Sequence, residues 1–330
     1  MRAFEYANPS TKKEVVKILS GAGNEAAVLA GGTDLLSLMK DGVVAPRVVV
    51  NIKSVGGMRG IEQLPGGGLT VGALTTIEEL LSHPAVKRDY PALIQAAKGI
   101  RSPQIRNMGT VGGELCQRPR CWYYRNGFGL LARSEGESMV TRGDNRYHAI
   151  LGNGGSALFV SPSSLAPPLI ALGARLQVYG SGGEREVALR DFYRTPVSEE
   201  EREYHLAPDE IVEAVILAAP AGRKNATYEV RQKEALDWPL ATAAVALQMT
   251  GTAVQDAAVV LGHVAPVPWV SSAAAASLKG KTLTLKVAEE AGRRAVEGAR
   301  PLSRNAYKVQ LARVAVKRAL LRAAGTEVKS

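Results

Sequence analysis

Three observations predict a mixed α+β chain. Strand-length apolar runs and helical patterns are interspersed along its 330 residues. Two glycine turns of the same grammar, each with a hydroxyl residue beside a glycine pair, stand at Val28–Lys40 and Arg106–Leu115. Three strand patterns followed by two helices close the chain. These patterns give the class in outline and leave the topology open.

The length exceeds the usual single-domain size, so two domains, or one with subdomains, are expected. Hydrophobic residues make up 46% of the chain, an ordinary value for a globular protein. No apolar run approaches the ~20 residues of a membrane span, and Met1–Tyr6 lacks the apolar core of a signal peptide. The expectation is a chain outside the membrane, made in the cytoplasm.

The formal charge of +10 permits an anionic ligand, an acidic partner or nucleic acid, but the basic residues are spread along the chain. Two cysteines, Cys116 and Cys121, give neither a disulfide framework nor a cluster set. His83, His148, His205 and His263 are scattered without metal-ligand spacing, so no metal site is expected.

In chain order, Thr11 to Ser20 reads as an amphipathic helix with Val15, Val16, Ile18 and Leu19 on one side. The following Gly21–Ala26 spells GxGxxA, yet it closes a helix and precedes a strand, the reverse of a dinucleotide fingerprint. We read it as a helix C-cap and turn. Ala27 to Ala30 and Arg47 to Ile52 are strand patterns. Gly56-Gly57 and Pro65–Gly68 punctuate a hairpin into a strand at Leu69 to Val71. Thr75 or Thr76 can cap a helix from Ile77 to Ser82, and Tyr90 to Lys98 is a second helix.

Gln117–Gly127 mixes arginines with Trp122, Tyr123 and Tyr124, which reads as cation–π packing within an ordered insertion or against a partner, rather than as a nucleic-acid stacking surface. Phe128 to Gly155 lacks periodicity and is expected to be a long loop. Strands resume at Ala157 to Val160, Arg175 to Tyr179 and Ile211 to Leu217, with a turn at Gly182-Gly183. A linker at Pro220–Asn225 leads to strands at Ala226–Gln232, Ala241–Met249 and Gln255–His263. Helices follow at Lys286–Glu297 and Asn305–Ala323, the second opened by Ser303 and closed by Gly325, with Tyr307, Leu311, Val314 and Leu321 as its core stripe.

The two glycine turns read as two halves of a pyrophosphate cradle. Glycines allow φ > 0 and close approach of backbone N–H groups to an anion. One such loop is weak evidence; two suggest a single ligand held from both sides.

With AGGTDLLSLMK at Ala30–Lys40 and RNMGTVGGELCQ at Arg106–Gln117, the chain resembles the FAD-binding medium subunit of the molybdenum hydroxylases, the xanthine dehydrogenase and carbon monoxide dehydrogenase family. DNRYHAILG at Asp144–Gly152, SPSSLAPPLIALGA at Ser161–Ala174, and the stretch from Val230 through Leu240 extend the resemblance over nearly the whole chain. It implies an α+β fold. A two-lobed FAD-binding domain of the PCMH/VAO type covers 1–222, with lobes near 1–55 and 56–222 and an insertion near 117–157. A C-terminal domain like that of CO dehydrogenase flavoprotein, a three-stranded sheet with helices, covers 223–330.

The resemblance also implies a division of labour. A large subunit oxidises the substrate at a molybdenum cofactor, a small subunit carries electrons through [2Fe-2S] clusters, and FAD on this chain delivers them to an acceptor. It implies FAD contacts from Leu29, Ala30, Gly31, Gly32, Thr33, Asp34 and Leu35, and from Asn107, Gly109, Thr110, Gly112, Gly113 and Glu114. Backbone N–H groups of Ala30–Asp34 and Thr110–Gly113 are expected to neutralise the pyrophosphate, and Ile100 and Val212 to lie near the isoalloxazine. No residue is expected to act as a catalytic acid or base.

The RCWYYRNG insertion is similar to the aldehyde oxidoreductase branch, whose medium subunit carries a [4Fe-4S] cluster on four cysteines. Only Cys121 stands at a matching place, while Leu131, Met139 and Ser156 hold no thiol, so no cluster is expected here. Three further departures are Glu114 for the family's Asn, Ser164 for Asp and Glu229 for Lys. They motivate a rival expectation, a structural subunit of the same complex that has lost FAD. The substrate and terminal acceptor are not legible in the chain. Cytoplasm is the expected compartment, with periplasm by co-export as the alternative.

Overall fold

A computed structural model describes residues 1–232 and 237–326. The first lobe is a three-stranded parallel sheet: β1 (Glu5–Ala7), α1 (Lys12–Ala22), β2 (Ala26–Leu29), α2 (Leu35–Lys40) and β3 (Val48–Asn51), in the order β1-β3-β2. A Thr11/Glu14 capping box opens α1, and the buried Val15 and Leu19 pack on Val48 and Val50. The GxGxxA segment ends α1 in a 3₁₀ turn before β2, as the sequence reading required.

The second lobe runs through β4 (Ile61–Gln63), β5 (Leu69–Gly72), α3 (Ile77–Ser82), α4 (Pro84–Asp89), α5 (Pro91–Gly99), α6 (Pro103–Met108) and α7 (Val111–Leu115). Thr76 caps α3 in a capping box with Glu79, whereas Thr75 is buried and bonds Gly60 on both its N–H and its carbonyl. The insertion that follows is ordered: α8 (Trp122–Arg125), a small hairpin of β6 (Arg133–Ser134) and β7 (Glu137–Ser138), then α9 (Met139–Arg142). The expectation of a featureless loop over 128–155 is corrected. So is the expected strand over Ala157–Val160, which pairs in no ladder; the apolar run serves burial, with Ala157 and Phe159 packing on Tyr124 and Leu130.

The lobe ends with α10 (Ala166–Ala171), β8 (Arg175–Gly180), β9 (Gly183–Ala188), α11 (Leu189–Phe192) and β10 (Ile211–Leu217). Its five-stranded antiparallel sheet has the order β4-β5-β10-β8-β9.

The C-terminal region holds β11 (Lys224–Val230), β12 (Ala241–Thr250), β13 (Ala253–Gly262) and β14 (Trp269–Val270), an antiparallel sheet of four strands rather than three. The addition is the two-residue β14, too short to show in a sequence pattern. Helices α12 (Ser272–Leu278), α13 (Leu285–Ala295) and α14 (Tyr307–Ala324) cover one face. A Cβ at Gly292 would lie 2.6 Å from the Arg313 carbonyl oxygen, so glycine sets the close crossing of α13 and α14.

The stripe expected on α14 is shifted. Tyr307 is exposed and Leu311 and Val314 are half-buried, while Lys308, Ala312, Ala315, Val316, Ala319 and Leu320 face the core with Leu321. Ser303 does not cap the helix, because its hydroxyl accepts from Asn145. Lys308 is buried because its ammonium donates to the Tyr147, His148 and His263 carbonyls at 3.1, 3.1 and 2.7 Å. Burial pushes its amine down to about 7.

Candidate functional site

The two glycine turns meet in space. A Cβ on Gly31 would overlap the Met108 carbonyl oxygen, and the place a Cβ would take on Gly109 lies 3.6 Å from Thr33 Oγ1. Gly32 turns the chain at φ +74°, a conformation that favours glycine. Between the turns and the β10 edge lies a cleft of about 580 Å³, within the usual range for a small-molecule site.

Ala30, Gly31, Gly32, Thr33, Asp34, Leu35, Thr110, Gly112, Gly113 and Val212 line this cleft. Leu29, Ile100, Asn107, Gly109 and Glu114 do not. Leu29 is buried beneath the first turn, Gly109 packs under it, and Asn107 donates to the Pro103 carbonyl within α6. Ile100 packs on the edge of the main core.

The two turns are not equivalent. Among the described residues, none of the N–H groups from Ala30 to Asp34 donates to a protein acceptor. In the second turn, Val111 and Gly112 donate to the Thr75 and Ala73 carbonyls at 2.9 Å each, and Gly113 donates to Thr110 Oγ1 at 3.1 Å. The expectation that Thr110–Gly113 offers backbone donors is therefore corrected for those three groups. Their glycines serve close packing instead: a Cβ on Gly112 would lie 2.8 Å from the Ala73 Cβ. Thr110 keeps its hydroxyl proton free to donate, and the first turn keeps five consecutive donors for an anion.

Asp34, which lines the cleft, also has a structural role. Its carboxylate accepts from the Arg118 N–H at 2.8 Å and pairs with Arg120 and Arg125 at 2.9 and 2.8 Å. It therefore ties the first turn to the insertion, with two of the three contacts on one oxygen. The arginine–aromatic segment is accounted for by this packing. Arg118 lies over Tyr124 and pairs with Glu203, and Arg120 lies over Trp238.

The three unusual residues form one buried cluster. Glu114 accepts from the Ser163 hydroxyl and the Ser164 N–H at 2.6 Å each, and from Leu165 N–H at 3.3 Å. Glu229 pairs with Arg231 at 2.6 Å. Burial pushes Glu114 up to about 7, against its hydrogen bonds and with help from the nearby Glu229 charge. Glu229 is likewise raised by burial, with Arg231 and Ser164 opposing. None of the three lines the cleft, so they bind the chain to itself.

Nucleophiles are absent from the cleft in reactive form. Burial pushes the Cys116 thiol up to about 12, which keeps it protonated. Cys121 is also raised by burial, and its sulfur lies 3.2 Å from His148 Nε2. Burial lowers His148 to about 4 and His263 to about 3, so both imidazoles are neutral. Among the described residues no three His, Cys, Asp or Glu side chains converge as metal ligands.

Among the cleft residues outside the expected set is Arg202. Arg202 sits in a run, Glu199-Glu200-Glu201-Arg202-Glu203, that reads as solvated surface charge. Nothing in that local pattern distinguishes it; only the return of the chain beside β10 brings it to the cleft.

Comparison with known proteins agrees with this geometry. Residues 2–220 match the FAD binding domain in molybdopterin dehydrogenase, and residues 226–323 match the CO dehydrogenase flavoprotein C-terminal domain. The FAD-binding subunit PaoB of the Escherichia coli aldehyde oxidoreductase is 31% identical over 95% of this chain and 96% of its own length. The carbon monoxide dehydrogenase medium chain of Hydrogenophaga pseudoflava is 29% identical over 96% of each. A crystal structure of Cu,Mo-CO dehydrogenase superposes with a TM-score of 0.78 at 25% identity, covering 98% of both chains. Two glycine turns closed on one cleft, and two domain matches that together span most of the chain, give one answer: the chain belongs to the FAD-binding subunits of the molybdenum hydroxylase family.

Proposed function

We propose that this chain holds FAD by its pyrophosphate against the N–H groups of Ala30–Asp34, and that it relays electrons between a [2Fe-2S] partner subunit and a terminal acceptor. The observation that carries the reading is the row of five uncommitted donors at the mouth of the cleft. Gly31 lets the turn sit on Met108, and Gly32 supplies the left-handed step. The Thr33 and Thr110 hydroxyls add side-chain donors. The isoalloxazine, when bound, supplies the redox chemistry. The protein's part is to bind, orient and exclude water, with residues 1–222 as the FAD-binding unit and 223–330 packed on it.

The partners in this reading are a large molybdenum-cofactor subunit and a small [2Fe-2S] subunit, with no nucleic acid. Supporting it, carbon monoxide dehydrogenases among the relatives are described as medium chains. No helix among the described residues is long and apolar enough to cross a membrane. We place the complex in the cytoplasm, with co-export on a partner as the alternative, and we assign no iron–sulfur cluster to this chain.

The rival reading, a scaffold emptied of FAD, rested on Glu114, Ser164 and Glu229. Those residues are held by Ser163, Leu165 and Arg231 and by each other, outside the lining of the cleft, which weakens its motive. The test is the visible spectrum of the purified chain and complex, followed by acid release of flavin. Released FAD, without iron–sulfur absorbance from the isolated chain, is the expected result. A chain that stays colourless after FAD is added returns the scaffold reading.

A further inference from the structure

The cleft holds one charge that the fold leaves unbalanced. Six charged residues line it: Glu25, Asp34, Arg47, Arg118, Arg202 and Glu210. Arg47 pairs with Glu25, Asp34 with Arg120 and Arg125, Arg118 with Glu203, and Glu210 with Arg185. Among the described residues, Arg202 forms no ion pair.

Its position is nonetheless built. The segment around it is pinned to the end of α11: Arg194 donates from its backbone to the Glu203 carbonyl at 3.0 Å and from its side chain to the Arg202 carbonyl at 3.0 Å. Tyr193 and Tyr204 pair as an antiparallel bridge. Tyr204 is stacked flat on the buried Phe192, with ring centroids 5.4 Å apart and planes 1° from parallel. The Arg202 guanidinium donates to the Tyr204 hydroxyl at 2.5 Å and lies over its ring. One donor edge is thus used for aim, and the other donors of this cleft-lining side chain meet no acceptor among the described residues.

The arrangement across the cleft is complementary. The first turn offers neutral backbone donors, the second turn has three of its N–H groups engaged within the fold, and of the cations that line the cleft Arg47 and Arg118 are already paired. A cation as well as dipoles stabilises a dianionic pyrophosphate between the turns, and a guanidinium's planar fork suits it. We propose that Arg202 is the cationic contact to the FAD pyrophosphate, a residue held in place for it by Tyr204 and Phe192. The inference rests on the reading of the cleft as the FAD site, and goes beyond it by naming the cleft-lining cation that the fold leaves without an ion pair among the described residues. The same guanidinium favours the thiolate form of Cys116, just past the second turn, which puts its field on that side of the cleft.

The test uses the full-length chain stripped of flavin and re-titrated with FAD, in wild-type, Arg202→Met and Arg202→Lys forms. Arg202→Met is expected to weaken FAD binding by about 10- to 100-fold, and Arg202→Lys by less, because a point charge replaces the fork. Wild-type affinity is expected to fall with salt more steeply than that of Arg202→Met. At saturating FAD the reduction potential should be the same in all three, since the pyrophosphate is remote from the redox ring. Unchanged affinity in a folded Arg202→Met chain overturns the inference, as does a shifted potential at equal affinity, which would put the guanidinium at the isoalloxazine. A wild-type chain that takes up no FAD brings down the reading of the cleft itself, and the inference with it.

Discussion

The Asp34 carboxylate of the first glycine turn lies 2.8 Å from the Arg125 guanidinium of the insertion, and both side chains are mostly buried. The contact spans ninety-one positions of sequence and converts an irregular segment into a strap over the turn. Arg120 and the Arg118 N–H converge on the same carboxylate.

Asp34→Ala leaves those cations without a counter-charge. The expected cost is about 3 kcal/mol, read as a lowered denaturant midpoint. Limited proteolysis should cut the variant first within Gln117–Gly127, where the wild-type chain is protected.

Gly31→Ala places a methyl on the Met108 carbonyl and should cost at least about 3 kcal/mol, with loss of bound flavin. Gly21→Ala, on the exposed last turn of α1 with no neighbour within 4 Å, should instead add about 0.5–1 kcal/mol. Thermal melts of the two variants with and without added FAD separate a steric site effect from a helix-propensity effect.

Glu114 supplies a pH dependence. Its folded pKa, about 7, lies above the ordinary 4.5, so the folded chain holds that proton more tightly than the unfolded chain. Its contribution to stability is therefore fullest below about pH 4.5 and is lost as pH rises through about 7. Glu114→Gln keeps an oxygen for the Ser164 N–H and cannot ionise. The stability difference, variant minus wild type, should grow from pH 5 to pH 8 in parallel denaturation series, whereas a flat difference would place the Glu114 titration outside this range.

Lys308→Met fills similar space but leaves the Tyr147, His148 and His263 carbonyls without their donor. Because those carbonyls belong to the insertion and the end of β13, the expected loss of about 3 kcal/mol should loosen the two together. Amide exchange at Tyr147–Ala149 and Val264 is the measurement.

How much was legible varies with the range of the interaction that fixes each part. α1, β3, α3, β12 and β13 show in the sequence because local periodicity and capping decide them, as with the Thr11/Glu14 box. The insertion does not, since its order comes from Asp34 and, at Leu130 and Leu131, from Glu199, all remote in sequence. The α14 stripe was displaced because a hydropathy pattern rejects a lysine from the core, and only the three distant carbonyls make Lys308 acceptable there. The glycine turns were visible as turns. Which of their N–H groups remain free depends on Thr75 and Ala73, and Arg202 depends on the path of the chain between α11 and β10. The stretch from Val230 to Leu240 that contributes to the family resemblance crosses residues 233–236, outside the described residues.

The first glycine turn is clamped by segments made after it: Met108 over Gly31, the insertion arginines on Asp34, and Lys53 on the Ala30 carbonyl. A nascent chain that ends before Arg125 carries the turn's residues without its shape. With FAD held at this turn as proposed, cofactor uptake would be a late event in biosynthesis, gated by long-range contacts that form slowly. Flavin content would then report on the finished fold.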